Sequence, residues 1–234
     1  MPRQPREFEI GNIYHIIKRG VDKRVIFAKP QDYSRFIIGL EFFNSHNSID
    51  LWSLIAGGSD PAKHSGVRPS LVNRLEQKRK ETPKPLTELL AFTLMTNHYH
   101  LIVREITKNG ISAFMQKMGG YTSYFNKQYD RVGSLFQSRF KAIHIKSDNQ
   151  LMSTFVYVHT NPIELKESQW KDLKVKDYQS AIKWLENYRW SSYLDYIGKQ
   201  NFPTVTKRDY FSDLYGGING CRQVVEDWIK FKAE

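Results

Sequence analysis

Two short stretches hold the residues most able to do chemistry. The first is Met95-Thr96-Asn97-His98-Tyr99-His100-Leu101-Ile102-Val103, an apolar run carrying a His-x-His pair. On a β-strand successive side chains alternate faces, so His98, His100 and Ile102 point one way and Tyr99, Leu101 and Val103 the other. Two imidazoles on one strand face can reach one divalent cation. A lone pair of this kind is more commonly a surface or packed pair, so it needs a second observation beside it. The second stretch, Tyr157-Val158-His159-Thr160-Asn161-Pro162, sets a phenol and an amide four residues apart. Positions i and i+4 share a helix face, so Tyr157 and Asn161 sit side by side on a helix, with Leu151, Phe155 and Val158 on its apolar face.

Several elements must position these residues. Residues 13–19 (I-Y-H-I-I-K-R) read as a strand stopped by Gly20, residues 25–27 as a short strand, and residues 49–56 (I-D-L-W-S-L-I-A) as another. Between them Tyr33, Phe36, Ile37, Leu40 and Phe43 recur at helical spacing behind Pro30 and Asp32. Residues 57–87 are a basic insertion bracketed by Gly57-Gly58-Ser59-Asp60-Pro61 and Thr82-Pro83-Lys84-Pro85, read as a mobile surface segment. Residues 89–95 and 98–104 form two strands joined by a tight turn at Thr96-Asn97. The longest helical stripe covers residues 111–129. Gly119-Gly120 lies in its middle, which implies a kink or the close approach of another backbone. Residues 135–145 read as the last strand. Ser147 and Asp148 cap a helix that Pro162 ends. Residues 178–197 read as helical and aromatic, and residues 220–232 as a final amphipathic helix. This order gives an α+β fold, one antiparallel sheet with helices packed on a face.

Composition narrows the classes. The chain has 234 residues with 14 Phe, 13 Tyr and 5 Trp, enough for a packed core. Lys and Arg total 35 against 24 Asp and Glu, a net charge of +11, which points to nucleic acid as a partner. No apolar run is long enough to span a membrane. Nothing at the N-terminus reads as a signal peptide, and the single Cys221 fits a reducing, cytoplasmic setting.

Taken together, the two stretches resemble the single-tyrosine HUH transposases, the IS200-like class that moves as single-stranded DNA and its REP-associated tyrosine transposase relatives. The HUH element is His, a bulky hydrophobic residue, His, with Tyr99 in the middle here; Thr96 stands where the family usually has Pro. Supporting stretches are Tyr14-His15 with Arg19-Gly20, Gly110-Ile111-Ser112, Gly133 to Lys141, and Tyr188-Arg189-Trp190-Ser191-Ser192-Tyr193. The resemblance covers about residues 10–197. The domain reading is thus a transposase domain over 1–197, with the insertion at 57–87, and a C-terminal extension over 198–234.

The resemblance implies a ferredoxin-like antiparallel sheet with helices on one face. It also implies a 5′-phosphotyrosine formed by Tyr157, a divalent metal (Mg2+ or Mn2+) on His98, His100 and Asn161, and a hairpin or single-stranded DNA substrate. Transesterification of a phosphodiester fits these residues: the phenol can attack phosphorus, and a metal held by neutral ligands keeps its full charge for an anionic substrate. With an ordinary pKa near 10 the phenol needs help, for which His159 and His144 are candidates. Grip on the DNA is expected from Lys18, Arg19, Arg104, Arg139 and Lys141, with Tyr99 and Phe136 available for stacking on bases. The alternative is a domesticated, non-cleaving DNA-binding regulator on the same fold. A replication-initiator nickase shares the chemistry, but such proteins usually carry further domains. Homodimer or monomer, and tyrosine in cis or in trans, are both open at this point.

Overall fold

The structure, a computed structural model, describes residues 6–47, 49–56, 70–81, 84–167 and 175–233. Its centre is a four-stranded antiparallel sheet in the order β2-β3-β1-β4, with β1 Ile13–Arg19, β2 Thr87–Leu94, β3 His98–Glu105 and β4 Lys141–Ile145. Helix α1 (Pro30–Phe42) follows β1, and α4 (Gly110–Met118) with α5 (Tyr121–Gln128) follow β3. This is the βαββαβ course of a ferredoxin-like unit, as expected.

Strand alternation builds two cores. Tyr14 and Ile16 of β1 and Tyr99, Leu101 and Val103 of β3 face α1, α4 and α5 in one cluster. Ile13 and Ile102 face the other way, into a second cluster with Leu151, Phe155 and Val158 of α6 (Asp148–Thr160). So the crossover helices share one face, and a further helical layer covers the other. That layer includes α7 (Tyr178–Leu185), α8 (Tyr193–Tyr196), α9 (Asp209–Tyr215) and α10 (Ile218–Ala233). Cys221, Val225 and Ile229 of α10 are fully buried there. At roughly 1.5–3 kcal/mol per buried aliphatic side chain, these contacts tie residues beyond 198 into the core.

Several local expectations fail for identifiable reasons. Residues 49–56 are not a strand: α2 runs Leu51–Ala56, and Asp50 caps it by accepting from Ser53 N (3.3 Å) and Ser53 Oγ (2.5 Å). The cap outweighs the alternating pattern. Residues 25–27 form no strand; the amides of Ile26 and Phe27 both donate to the Thr96 carbonyl. Of residues 135–145 only Lys141–Ile145 is strand, with Phe136 bridged singly to Gly20. The helix expected over 111–129 does break at its glycine pair. Gly119 and Gly120 tighten into i to i+3 bonds, with Gly120 N on Lys117 O at 3.0 Å and Thr122 N on Gly119 O at 3.0 Å.

Part of the insertion lies outside the described residues. The remainder holds α3 (Leu71–Glu81), which is docked: Arg79 pairs with Glu41 of α1 at 2.5 and 3.0 Å, and Arg74 donates to Leu54 O and Ile55 O at the end of α2.

Candidate active site

The pairing of β1 with β3 sets Arg19 opposite His98, Ile17 opposite His100 and His15 opposite Ile102. Side chains at paired positions share a face, so Arg19, Ile17 and His15 line the same side of the sheet as the two histidines. Gly20 ends β1 because nothing larger fits: a Cβ there would lie 2.4 Å from Arg24 O and 2.9 Å from Ile26 Cγ2. Its amide donates to Asn97 O at 2.8 Å, fixing the turn that leads into His98.

Both imidazoles are held from behind. Asn97 donates from Nδ2 to Lys23 O at 3.1 Å, so its Oδ1 faces His98 Nδ1 as an acceptor at 2.6 Å. The His98 proton therefore sits on Nδ1 and the lone pair on Nε2. His100 Nδ1 lies 2.9 Å from His15 Nε2. Its Nε2 is buried and has no hydrogen-bond partner. Burial pushes the His15 imidazole down to about 4, with Lys141 adding repulsion. Burial, then His98, His15 and Arg19, hold His100 well below its ordinary value. His15 and His100 are thus neutral at pH 7, which for His100 is the state in which an imidazole can ligate a metal.

Helix α6 brings the phenol over this face. Ser147 caps it by accepting from Gln150 N at 3.3 Å, while Gln150 Oε1 accepts from Lys146 N at 2.9 Å. Leu151, Phe155 and Val158 anchor the helix in the second core. Tyr157 remains 38% exposed. Its ring stands edge-on to His100, with centroids 5.4 Å apart, and lies 6.1 Å from His15. Asn161 closes the helix as its C-cap, its backbone N–H donating to Tyr157 O, and is buried to 2% exposure with its side chain near the Tyr157 phenol. Burial and the charge of Glu164 raise the Tyr157 phenol, while the Asn161 side chain and Arg19 work against them. The four residues picked from the sequence, His98, His100, Tyr157 and Asn161, thus gather within one chain.

The donor set can be tested against a divalent cation. His100 Nε2 and Asn161 Oδ1 are both buried without partners, an arrangement that ordinarily costs about 1–3 kcal/mol per atom. Both are ligand atoms for such an ion, and both flank Tyr157. Among the described residues no group of three or more His, Cys, Asp or Glu side chains could hold a metal ion, so an ion here would use the Asn161 amide. The residues fit the group.

The other expected contacts divide. Arg19 and Lys141 are exposed near the histidines. Lys18 points to the opposite face, its Nζ 4.4 Å over the Phe136 ring. Arg104 is at the far end of β3, paired with Glu88 at 2.9 Å and lying over the Tyr210 ring at 4.4 Å. Tyr99 is not available for stacking: it is 1% exposed and packs on Phe36. Phe136 is likewise buried. Neither His144 nor His159 serves Tyr157. His144 stacks on Tyr14, and His159 is fully buried with Nε2 2.8 Å from Ser192 Oγ. Sequence reasoning placed His15 only in a supporting stretch; its contact with His100 depends on the strand register.

Comparison with known proteins bears on this geometry. Residues 71–161 match the IS200-like transposase family. The matched segment holds His98, His100 and Tyr157 and ends on Asn161. The IS200-like match meets the resemblance read from the motifs, and the family is one of DNA-processing enzymes. Among solved structures the chain is similar to a REP-associated tyrosine transposase bound to a REP hairpin, at 13% identity and a TM-score of 0.48, covering 87% of this chain and 90% of that one. No curated protein matches. Among the described residues no helix is long and apolar enough to cross a membrane.

Proposed function

We propose that this chain is a metal-dependent transposase that nicks and rejoins single-stranded DNA carrying hairpin structure, through a 5′-phosphotyrosine on Tyr157. One observation carries the reading. A nucleophile-bearing helix and two imidazoles with anchored Nδ1 atoms meet on one sheet face, beside two buried polar atoms lacking partners.

The residues divide the work. His98, His100 and Asn161 would hold the divalent ion. When bound, that ion supplies charge for the non-bridging phosphate oxygens. Tyr157 attacks phosphorus; the new bond joins its oxygen to the 5′ side of the break, and the bond to the 3′ oxygen breaks, leaving a 3′-hydroxyl. Because the phosphodiester energy is retained in the tyrosyl ester, a 3′-hydroxyl can reverse the step. Asn161 steadies the phenol oxygen as it gains charge, and Arg19 favours the ionised form. Exposed Arg19 and Lys141 present cations to the strand entering this face.

Labelled hairpin oligonucleotide with an unpaired extension, incubated with Mn2+, is expected to yield a denaturation-resistant protein–DNA adduct. Tyr157→Phe is expected to yield none. An undiminished adduct in that variant removes Tyr157 as nucleophile. Tight hairpin binding without an adduct under Mg2+ or Mn2+ selects the non-cleaving regulator instead.

A further inference from the structure

On the sheet face away from Tyr157 there is a cavity of about 460 Å³. Arg6 from the N-terminal arm, Lys18 from β1 and Arg139 from the segment before β4 all line it, with Ser112 and Gln116 of α4 and the Phe140 ring. Among the described residues no carboxylate lines it. Cations from separate segments repel one another, and burial adds a desolvation cost. The Arg6 guanidinium lies 4.7 Å over Phe140 and donates to the Phe140 carbonyl, and Lys18 Nζ lies over Phe136. Burial holds Lys18 below its ordinary value, and burial together with Arg139 does the same to Arg6. A bound anion would relieve each of these costs.

The position of the pocket argues for which anion. Lys18 and Arg19 are neighbours on β1 that point to opposite faces. Arg19 lies opposite His98, and Lys141 pairs with Ile17 on the edge strand β4. Basic side chains therefore run from the catalytic face, around the end of β1 and β4, into the recess behind. A duplex is too stiff to follow that turn, whereas an unpaired strand can.

We propose that this recess binds a backbone phosphate of unpaired DNA, held by Arg6, Lys18 and Arg139 with hydrogen bonds from Ser112 and Gln116. The proposal rests on the DNA reading above and adds a second point of attachment, remote from the Tyr157 centre.

The test uses full-length Tyr157→Phe protein, so that no chemistry intervenes. Fluorescence anisotropy compares a hairpin carrying a single-stranded extension with the same hairpin made blunt. In a variant also carrying Arg6→Gln, Lys18→Gln and Arg139→Gln, the affinity gained from the extension is expected to fall at least roughly tenfold. The slope of log affinity against log salt should fall by about 0.7 for the extended oligonucleotide, the change for one phosphate of a single strand. A charge-matched control with Lys176→Gln, Lys183→Gln and Lys230→Gln, all exposed and outside the pocket, is expected to keep the gain. An undiminished gain in the pocket variant overturns the proposal. So does an equal loss on both oligonucleotides or in the control, since that marks a general field effect. Failure of the parent protein to bind either oligonucleotide defeats the DNA reading itself; binding with the gain intact in the pocket variant defeats only the pocket.

Discussion

His15 Nε2 lies 2.9 Å from His100 Nδ1, both rings buried. With the proton on His100 Nδ1, that atom donates to His15 and leaves the unpartnered Nε2 with the lone pair a metal needs. His15→Leu removes the acceptor, so His100 is no longer held in one tautomer. Mn2+ binding measured by calorimetry is expected to weaken about 10- to 100-fold. His15→Gln, whose amide oxygen can accept the same bond, is expected to restore much of it. If His15→Leu binds Mn2+ as tightly as the parent protein, His15 does not position His100.

His100 and Tyr157 are 5.4 Å apart, centroid to centroid, in one chain. A tyrosine supplied in cis makes each chain self-sufficient. Mixing Tyr157→Phe protein with His100→Ala protein is then expected to give no more adduct than either alone. Recovery of adduct in the mixture would show that the tyrosine helix is exchanged between two chains.

Asp32 is a buried carboxylate that organises the start of α1. It accepts from the amides of Ala28 (2.8 Å) and Lys29 (2.9 Å) and from the hydroxyls of Tyr124 (3.0 Å) and Tyr129 (2.6 Å). Asp32→Ala leaves these donors without it and is expected to cost about 3 kcal/mol or more, read from the denaturant midpoint. The same carboxylate sets an alkaline limit. Burial and Asp32 push the Tyr33 and Tyr124 phenols up to about 12. A phenol raised in the folded state keeps its proton after the unfolded chain has lost it. The stabilisation is therefore complete below pH 10 and lost between pH 10 and 12. A melting temperature independent of pH across that window would contradict this.

Ile229 is fully buried in the cluster that also holds Phe155 and Val158 of the Tyr157 helix. Ile229→Ala is expected to destabilise the protein by about 2–4 kcal/mol through the cavity it leaves. Because α10 packs on α6, removing residues 218–233 is expected to cost the folded state as a whole rather than a detachable tail. A truncated chain that melts cooperatively at the parent temperature would show that the extension is dispensable.

What could be read locally was read correctly where one short-range effect dominates. Alternation put His98 and His100 on one strand face, helical spacing put Asn161 beside Tyr157, the Ser147 cap and Pro162 bounded that helix, and Gly119-Gly120 marked the break between α4 and α5. These depend on backbone geometry within a few residues, which the amino-acid order specifies directly. Residues 49–56 carried a strand pattern, and the Asp50 cap makes Leu51–Ala56 a helix instead. Tertiary structure decided the rest. Tyr99 looked available for stacking and is core, because α1 covers that face of β3. Arg104 was expected at the DNA, and the β2–β3 pairing sets it against Glu88. His15 meets His100 only through the β1–β3 register, and α6 lies over the histidine face only because its apolar side has Ile102 and Leu90 to pack on. Register and layer packing join residues distant in the chain, and no local pattern encodes which distant partner a buried face will find.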